Sequence, residues 1–165
     1  MGLKEIYINL LNLATLYIIC GLPASGKTSL AVEIKEKKNA IHLSEDEWIK
    51  DLIGKYDHDE IRENIAGLHR KFAARLLSKG INIVMDGGYF SKEERDLLRK
   101  VAKDAKSKFE LHFMKTDFAT INARRIARNK DLESQFWTTE ENLKKAVSYF
   151  QAPDQDEKYI LHKQK

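Results

Sequence analysis

The stretch GLPASGKT, Gly21 to Thr28, constrains this chain more than any other. Its spacing is G-x-x-x-x-G-K-[ST], that of a phosphate-binding loop. Gly21 and Gly26 permit backbone angles and a close approach that side chains would block. Successive backbone N–H groups then point into one concavity and bind phosphate oxygens. Gly21, Leu22, Pro23, Ala24, Ser25, Gly26, Lys27, Thr28 and Ser29 are therefore the candidate nucleotide-binding residues. Lys27 is placed to reach β- and γ-phosphates, and the Thr28 hydroxyl to ligate Mg²⁺. The flanks agree. Thr15 to Cys20, TLYIIC, reads as a short buried strand, and Lys27 to Lys38 as a helix with Leu30, Ile34 and Ala31 on one face.

With 165 residues the chain is expected to form one domain over 15–165, preceded by an N-terminal extension over 1–14. A chain of this size buries roughly two-thirds of its unfolded surface, enough for a three-layer core. The net charge of +4 suits an anionic ligand but is too small to mark a nucleic-acid-binding protein. Cys20 is the one cysteine, which excludes a disulfide framework. Its place at the end of a buried strand makes it a packed small hydrophobe. No segment is long and apolar enough to cross a membrane. The partly apolar run from Leu3 to Leu16 is interrupted by Asn9, Asn12 and Thr15 and does not read as a signal peptide, so a cytoplasmic location is expected.

Apolar runs alternate with helical patterns, which predicts an α/β domain with a parallel sheet. Further strands are expected at Ala40–Ser44, Ile81–Asp86, Phe109–Lys115 and in the tail KYILH. A short helix should end near Gly54, and a long one should span Asp59–Ser78 with Ile61, Ile65, Leu68, Phe72 and Leu76 on its buried face. Ser91 with Glu94, and Thr138 with Glu141, have capping-box spacing, and Asp117 is placed to cap the helix between them.

Open parallel sheets bind ligands beyond the carboxyl ends of their strands. Asp46 follows the second predicted strand and Asp86 ends the third, so both carboxylates should face the crevice that holds Lys27. Asp86 is a candidate Mg²⁺ ligand, the alternative being a loop-stabilising carboxylate. Its successor is Gly87, not the acidic residue with which many ATP-driven motors activate water. Asp46 is a candidate base for an acceptor hydroxyl, the alternative being a helix N-cap. Glu45 and Glu47 compete for the base role, although a short helix would turn them toward solvent. Arg124 and Arg128 are four apart, share a helix face and are candidates to clamp the transferring phosphoryl group. They precede an irregular stretch suited to a lid, about 124–138. Leu132 stands where a guanine-reading N-K-x-D motif requires Asp, which disfavours a GTP switch. The five histidines show no metal-ligand spacing. His112 reads as structural, while His69 on the long helix is a candidate substrate contact.

Four segments, LYIICGLPASGKTSLA, HLSEDEW, IVMDGGYFSKEERDLLR and HFMKTDFATINARRIARN, resemble the polynucleotide-kinase-like branch of small P-loop kinases. These are the AAA-type predicted kinases, with chloramphenicol phosphotransferase and zeta toxins as more distant relatives. The likeness runs from about Leu16 to Asp156 in the right order. It implies a five-stranded parallel sheet of order 2-3-1-4-5 with helices on both faces, ATP and Mg²⁺ as cofactors, and transfer of the γ-phosphoryl group to a hydroxyl. It further implies Asp46 as the hydroxyl-activating residue, Asp86 as the acid ending the third strand, and Arg124 and Arg128 as lid arginines. Strict polynucleotide kinases place a basic residue beside the activating Asp, whereas here the neighbours are Glu45 and Glu47. That departure favours a neutral or cationic small acceptor over a nucleic-acid end. The second reading is a 5′-hydroxyl nucleic-acid or nucleotide kinase, with Trp48, Tyr56, Arg62, His69, Arg70 and Lys71 as its basic and aromatic path. A third is an ATP-binding regulatory module without turnover.

Overall fold

A computed structural model describes residues 13–54, 59–133 and 138–163. Strands β1 (Thr15–Gly21), β2 (Ile41–Leu43), β3 (Ile83–Met85), β4 (Lys108–Lys115) and β5 (Tyr159–Lys163) alternate with helices. These are α1 (Lys27–Lys38), α2 (Glu45–Ile53), α3 (Asp59–Leu77), α4 (Lys92–Asp104), α5 (Phe118–Lys130) and α6 (Glu140–Tyr149). The strands form one parallel sheet in the order β2-β3-β1-β4-β5, as the resemblance implies. Most of the predicted N-terminal extension, together with Tyr56 and the lid tip at 134–137, lies outside the described residues.

Every residue of the central strand β1 is buried, because helices cover both faces of the sheet. Leu16, Ile18 and Cys20 pack with Ala73 and Leu77 of α3 and with Leu98 and Ala102 of α4. Tyr17 and Ile19 face the other way, onto Ala31 and Ile34 of α1. Cys20 is inert filling, its thiol pushed up to about 12 chiefly by burial. Strands β2 and β3 are shorter than the sequence suggests. Asn82 explains part of this: its side chain accepts from Thr15 N–H at 2.9 Å and donates to Lys38 O at 2.7 Å, so it pins the start of the sheet.

The long helix α3 has its expected limits but a different buried face. Ile65, His69, Ala73 and Leu77 are buried, whereas Leu68 and Phe72, assigned inward from the spacing, are each 42% exposed. Spacings of three and four fit two neighbouring stripes on such a helix, and the small Ala73 takes the inner one where α3 meets the sheet. The Ser91–Glu94 capping box forms as expected, and Asp117 caps α5 through Thr120 N–H at 2.8 Å. The cap of α6 is Thr139, which accepts from Asn142 N–H at 3.0 Å, and not Thr138. Thr138 is already engaged by side chains of α5.

One ion pair anchors the C-terminal segment. Arg95 of α4 and Glu157 are both buried and joined by two bonds, Nε to Oε2 at 2.8 Å and Nη2 to Oε1 at 2.7 Å. The third nitrogen, Nη1, donates to the carbonyls of Tyr89 at 3.0 Å and Gln151 at 2.9 Å. The loop that follows β3 is thereby tied to the end of the chain.

Candidate active site

The loop after β1 is built for close approach. A Cβ on Gly21 would lie 2.9 Å from the Met114 carbonyl of β4, and Gly26 has φ 95°, which only glycine adopts cheaply. Helix α1 starts directly from this loop with no acidic residue in its first turn, so its free N–H groups and positive end are open to an anion. Lys27 Nζ donates to Leu22 O at 3.0 Å across the loop. Burial pulls its ammonium below the ordinary lysine range, while Asp46 and Asp86 act in the opposite sense and Arg128 adds to the lowering. Asp46, Asp86 and Arg128, from three separated stretches, thus act on one amine.

A cleft of about 1430 Å³ lies over the carboxyl ends of the strands and is lined by Lys27, Thr28, Asp46, Asp86, Arg124 and Arg128. Asp86, at the end of β3, is buried, and His42 Nε2 of β2 stands 3.1 Å from its Oδ1. Burial alone would raise the Asp86 carboxyl. The His42 ring, the Thr28 hydroxyl and the Lys27 ammonium outweigh it and hold the group below the usual carboxylate range. An ionised carboxylate beside a threonine hydroxyl is a fitting donor pair for a hard cation such as Mg²⁺. Among the described residues no group of three or more His, Cys, Asp or Glu could enclose a metal ion, so the remaining ligands would be phosphate oxygens and water.

Asp46 lies in the first turn of α2, with its side chain 65% exposed and Oδ1 accepting from Arg62 Nη1 at 3.0 Å. The N-cap position belongs to Ser44, so Asp46 is not the cap. Glu47 is exposed as expected, but Glu45 is not: only 8% of its side chain is accessible. Arg62 Nη1 stands 3.8 Å from its Oε2. Burial, partly countered by Arg62, raises its carboxyl to about 7. The inward turn was readable in principle, because Glu45 stands four residues before the buried Ile49 and shares its helix face.

Arg124 and Arg128 of α5 both line the cleft, as their spacing predicts. The intervening Arg125 is buried and is a strut: it donates to Asn122 Oδ1 and, through Nη1, to Thr138 O at 3.1 Å. Asn129 donates to the same carbonyl at 3.0 Å, and Arg128 Nη2 reaches the Thr138 hydroxyl at 2.6 Å. Three side chains of α5 therefore grip Thr138.

Among the described residues, only part of the predicted nucleic-acid path lines the cleft. His69 is fully buried, edge-on to Trp48 at 4.7 Å between ring centroids, with burial lowering it to about 4. It is therefore in no position to touch a substrate, and neither Trp48 nor Lys71 lines the cleft. Arg62 and Arg70 do, each paired with a carboxylate. Two residues of the site, His42 and Tyr89, carry no sequence motif. An ionisable residue in the middle of a short strand was the available signal for the first. For Tyr89, with φ 43° and its hydroxyl folded onto Gly87, the signal was slight.

A family model described as an AAA domain matches residues 16–153. The chain belongs to this AAA domain family. No curated protein matches it. Several solved structures share the fold of this AAA domain, which is that of the small P-loop kinases. The APS kinase CysC of Mycobacterium tuberculosis, in complex with AMPPNP and APS, is 21% identical with a TM-score of 0.64, covering 91% of this chain and 88% of that one. A gluconokinase from Sinorhizobium meliloti is 15% identical with a TM-score of 0.67, covering 92% of this chain and 83% of that one. A chain of the Pnkp1/Rnl/Hen1 RNA repair complex gives a TM-score of 0.72 at 16% identity, with 83% of this chain and 44% of that one covered.

Proposed function

We propose that this protein is an ATP-dependent phosphotransferase that moves the γ-phosphoryl group to a hydroxyl of a small molecule. The observation that carries the reading is the convergence of Asp46, Asp86 and Arg128 on the Lys27 ammonium within one cleft. The acceptor oxygen attacks the γ-phosphorus while the bond from that phosphorus to the β–γ bridging oxygen breaks, and ADP departs with the electron pair. Asp46 takes the hydroxyl proton; much of its carboxylate faces the cleft even while Arg62 holds Oδ1. Lys27, Arg124 and Arg128 meet the charge spread over the phosphoryl oxygens. Mg²⁺, held by Thr28 and Asp86, supplies neutralisation of the phosphate charge when bound. Most of the acceleration expected of such a site is positioning, which the rigid loop and the gripped Thr138 serve.

A small acceptor is favoured over a nucleic-acid end because the acceptor side of the cleft is acidic. Glu45, Asp46, Glu63 and Glu94 line it against Arg62 and Arg70. A polyanion would meet repulsion there. The APS kinase and the gluconokinase, similar in fold, are named for small acceptors, which supports the reading. The test is ADP release from ATP and Mg²⁺ across a panel of small polyols, amino alcohols and 5′-hydroxyl oligonucleotides. Release stimulated by a small hydroxyl compound is expected. Stimulation by oligonucleotides alone would replace the acceptor, and tight ATP binding without turnover on any acceptor would leave a regulatory module.

A further inference from the structure

The carboxylates of the cleft are not equivalent. Glu33 accepts from Lys37, Asp46 from Arg62, Glu63 from Arg70, and Glu94 from the backbone and hydroxyl of Ser91. Glu45 accepts no hydrogen bond from the described residues, and its one ion-pair contact, Arg62 at 3.8 Å, is directed more closely at Asp46. Yet Glu45 is more than nine-tenths buried. A buried carboxylate without hydrogen bonds is costly to keep, and a native structure rarely holds one that nothing ever satisfies. Arg62, Asp46, Glu94 and Arg70 are the charged groups that act on it, and they leave its surroundings mixed in sign.

The neighbouring wall has the opposite character. Tyr89 and Phe90 follow β3 into the cleft, and Leu97 of α4 lines it while remaining 45% exposed. The buried Tyr89 hydroxyl, on which Glu45 acts electrostatically, lies over Gly87 and has no other hydrogen-bond partner among the described residues. A largely buried acid that accepts no hydrogen bond from the described residues, beside an aromatic and aliphatic wall, is the surrounding that an organic cation prefers, since the rings attract positive charge as well as apolar surface.

Resting on the kinase reading for the hydroxyl it places at Asp46, we infer that the acceptor is an amino alcohol with an apolar body, its ammonium seated on Glu45 and its body against Phe90 and Leu97. The ammonium supplies the hydrogen bonds that Glu45 lacks, and the adjacent hydroxyl falls beside Asp46, the next residue along α2.

The experiment uses a matched pair of probes, phenylethanolamine and styrene glycol, which differ by an ammonium in place of a hydroxyl. Each is titrated calorimetrically at pH 8 into the protein loaded with Mg²⁺ and a non-hydrolysable ATP analogue. The amine should bind about tenfold tighter or better, the scale of one desolvated charge contact, and Glu45→Gln should bring the two probes within about twofold. Loss of packing alone would weaken both probes together and leave their ratio unchanged. Equal binding of the two by the wild type, binding of neither, or an amine preference that survives Glu45→Gln overturns the inference. Because the readout is binding, a protein that prefers the amine but never transfers phosphate would sink the kinase reading and leave this one standing.

Discussion

Arg95 and Arg62 both hold carboxylates, but in opposite ways. Arg95 is fully buried, and its nitrogens are committed to Glu157 and to the carbonyls of Tyr89 and Gln151. Arg62 is about a third exposed and spreads one nitrogen over Asp46 and Glu45. The first cluster has nothing left to offer a ligand. In the second, one acid is only partly held and the other is buried without a hydrogen bond from the described residues. A satisfied polar network fixes geometry, and an unsatisfied one is where a substrate can be bound. The two are connected, since Arg95 holds the carbonyl of Tyr89, whose side chain lines the cleft beside Glu45.

Breaking the satisfied cluster should have the largest effect. Arg95→Met takes from the buried Glu157 both of its close guanidinium bonds and leaves it Arg99 Nη2 at 3.9 Å, and should cost about 3–5 kcal/mol in denaturant unfolding. Replacing both partners, Arg95→Met with Glu157→Leu, should recover most of that loss, because the isolated charge is then gone. A loss under about 1 kcal/mol for the single variant would contradict the role given to this pair.

The unsatisfied cluster should respond with the opposite sign. The Glu45 carboxyl is raised to about 7 in the folded protein, above the ordinary value it regains on unfolding. Both states are protonated in strong acid, so nothing is lost there. As pH rises past the ordinary carboxylate value, the unfolded chain releases the proton first and stability falls, reaching its floor above pH 7. Glu45→Gln should therefore stabilise the protein at pH 8, by at most about 3 kcal/mol, and make little difference near pH 4. The same variant is expected to lose amine preference, so the residue would trade stability for binding. An equal stability change at both pH values would show that packing, not ionisation, governs Glu45.

Much of this was legible in the sequence, for physical reasons. The phosphate loop declares itself because only glycine suits a near-contact with Met114 O and a φ of 95°. Strand β1 is buried on both faces and so reads as an unbroken apolar run. Helix starts marked by Ser91 and Asp117 were legible because their capping bonds are local. What escaped depends on contacts distant in sequence. Ala73, rather than Phe72, faces inward where α3 meets the sheet, and Thr138 cannot cap α6 because Arg125, Arg128 and Asn129 engage it. Within the site, Lys27 is marked by the loop motif, Asp46 and Asp86 by strand ends, and Arg124 and Arg128 by helix spacing, and all five line the cleft. Glu45 was turned the wrong way because a charge was assumed to seek water, although its spacing to Ile49 said otherwise.

The central claim is that Asp46 serves the acceptor and not the nucleotide, and the Asp46→Asn variant tests it most directly. ATP affinity and the rate of phosphoryl transfer would be measured side by side on the wild type and the variant. ATP affinity should stay within about twofold while transfer falls about a hundredfold or more, the scale of a lost general base. A collapse of ATP affinity together with the rate, or a rate left intact, would contradict the account.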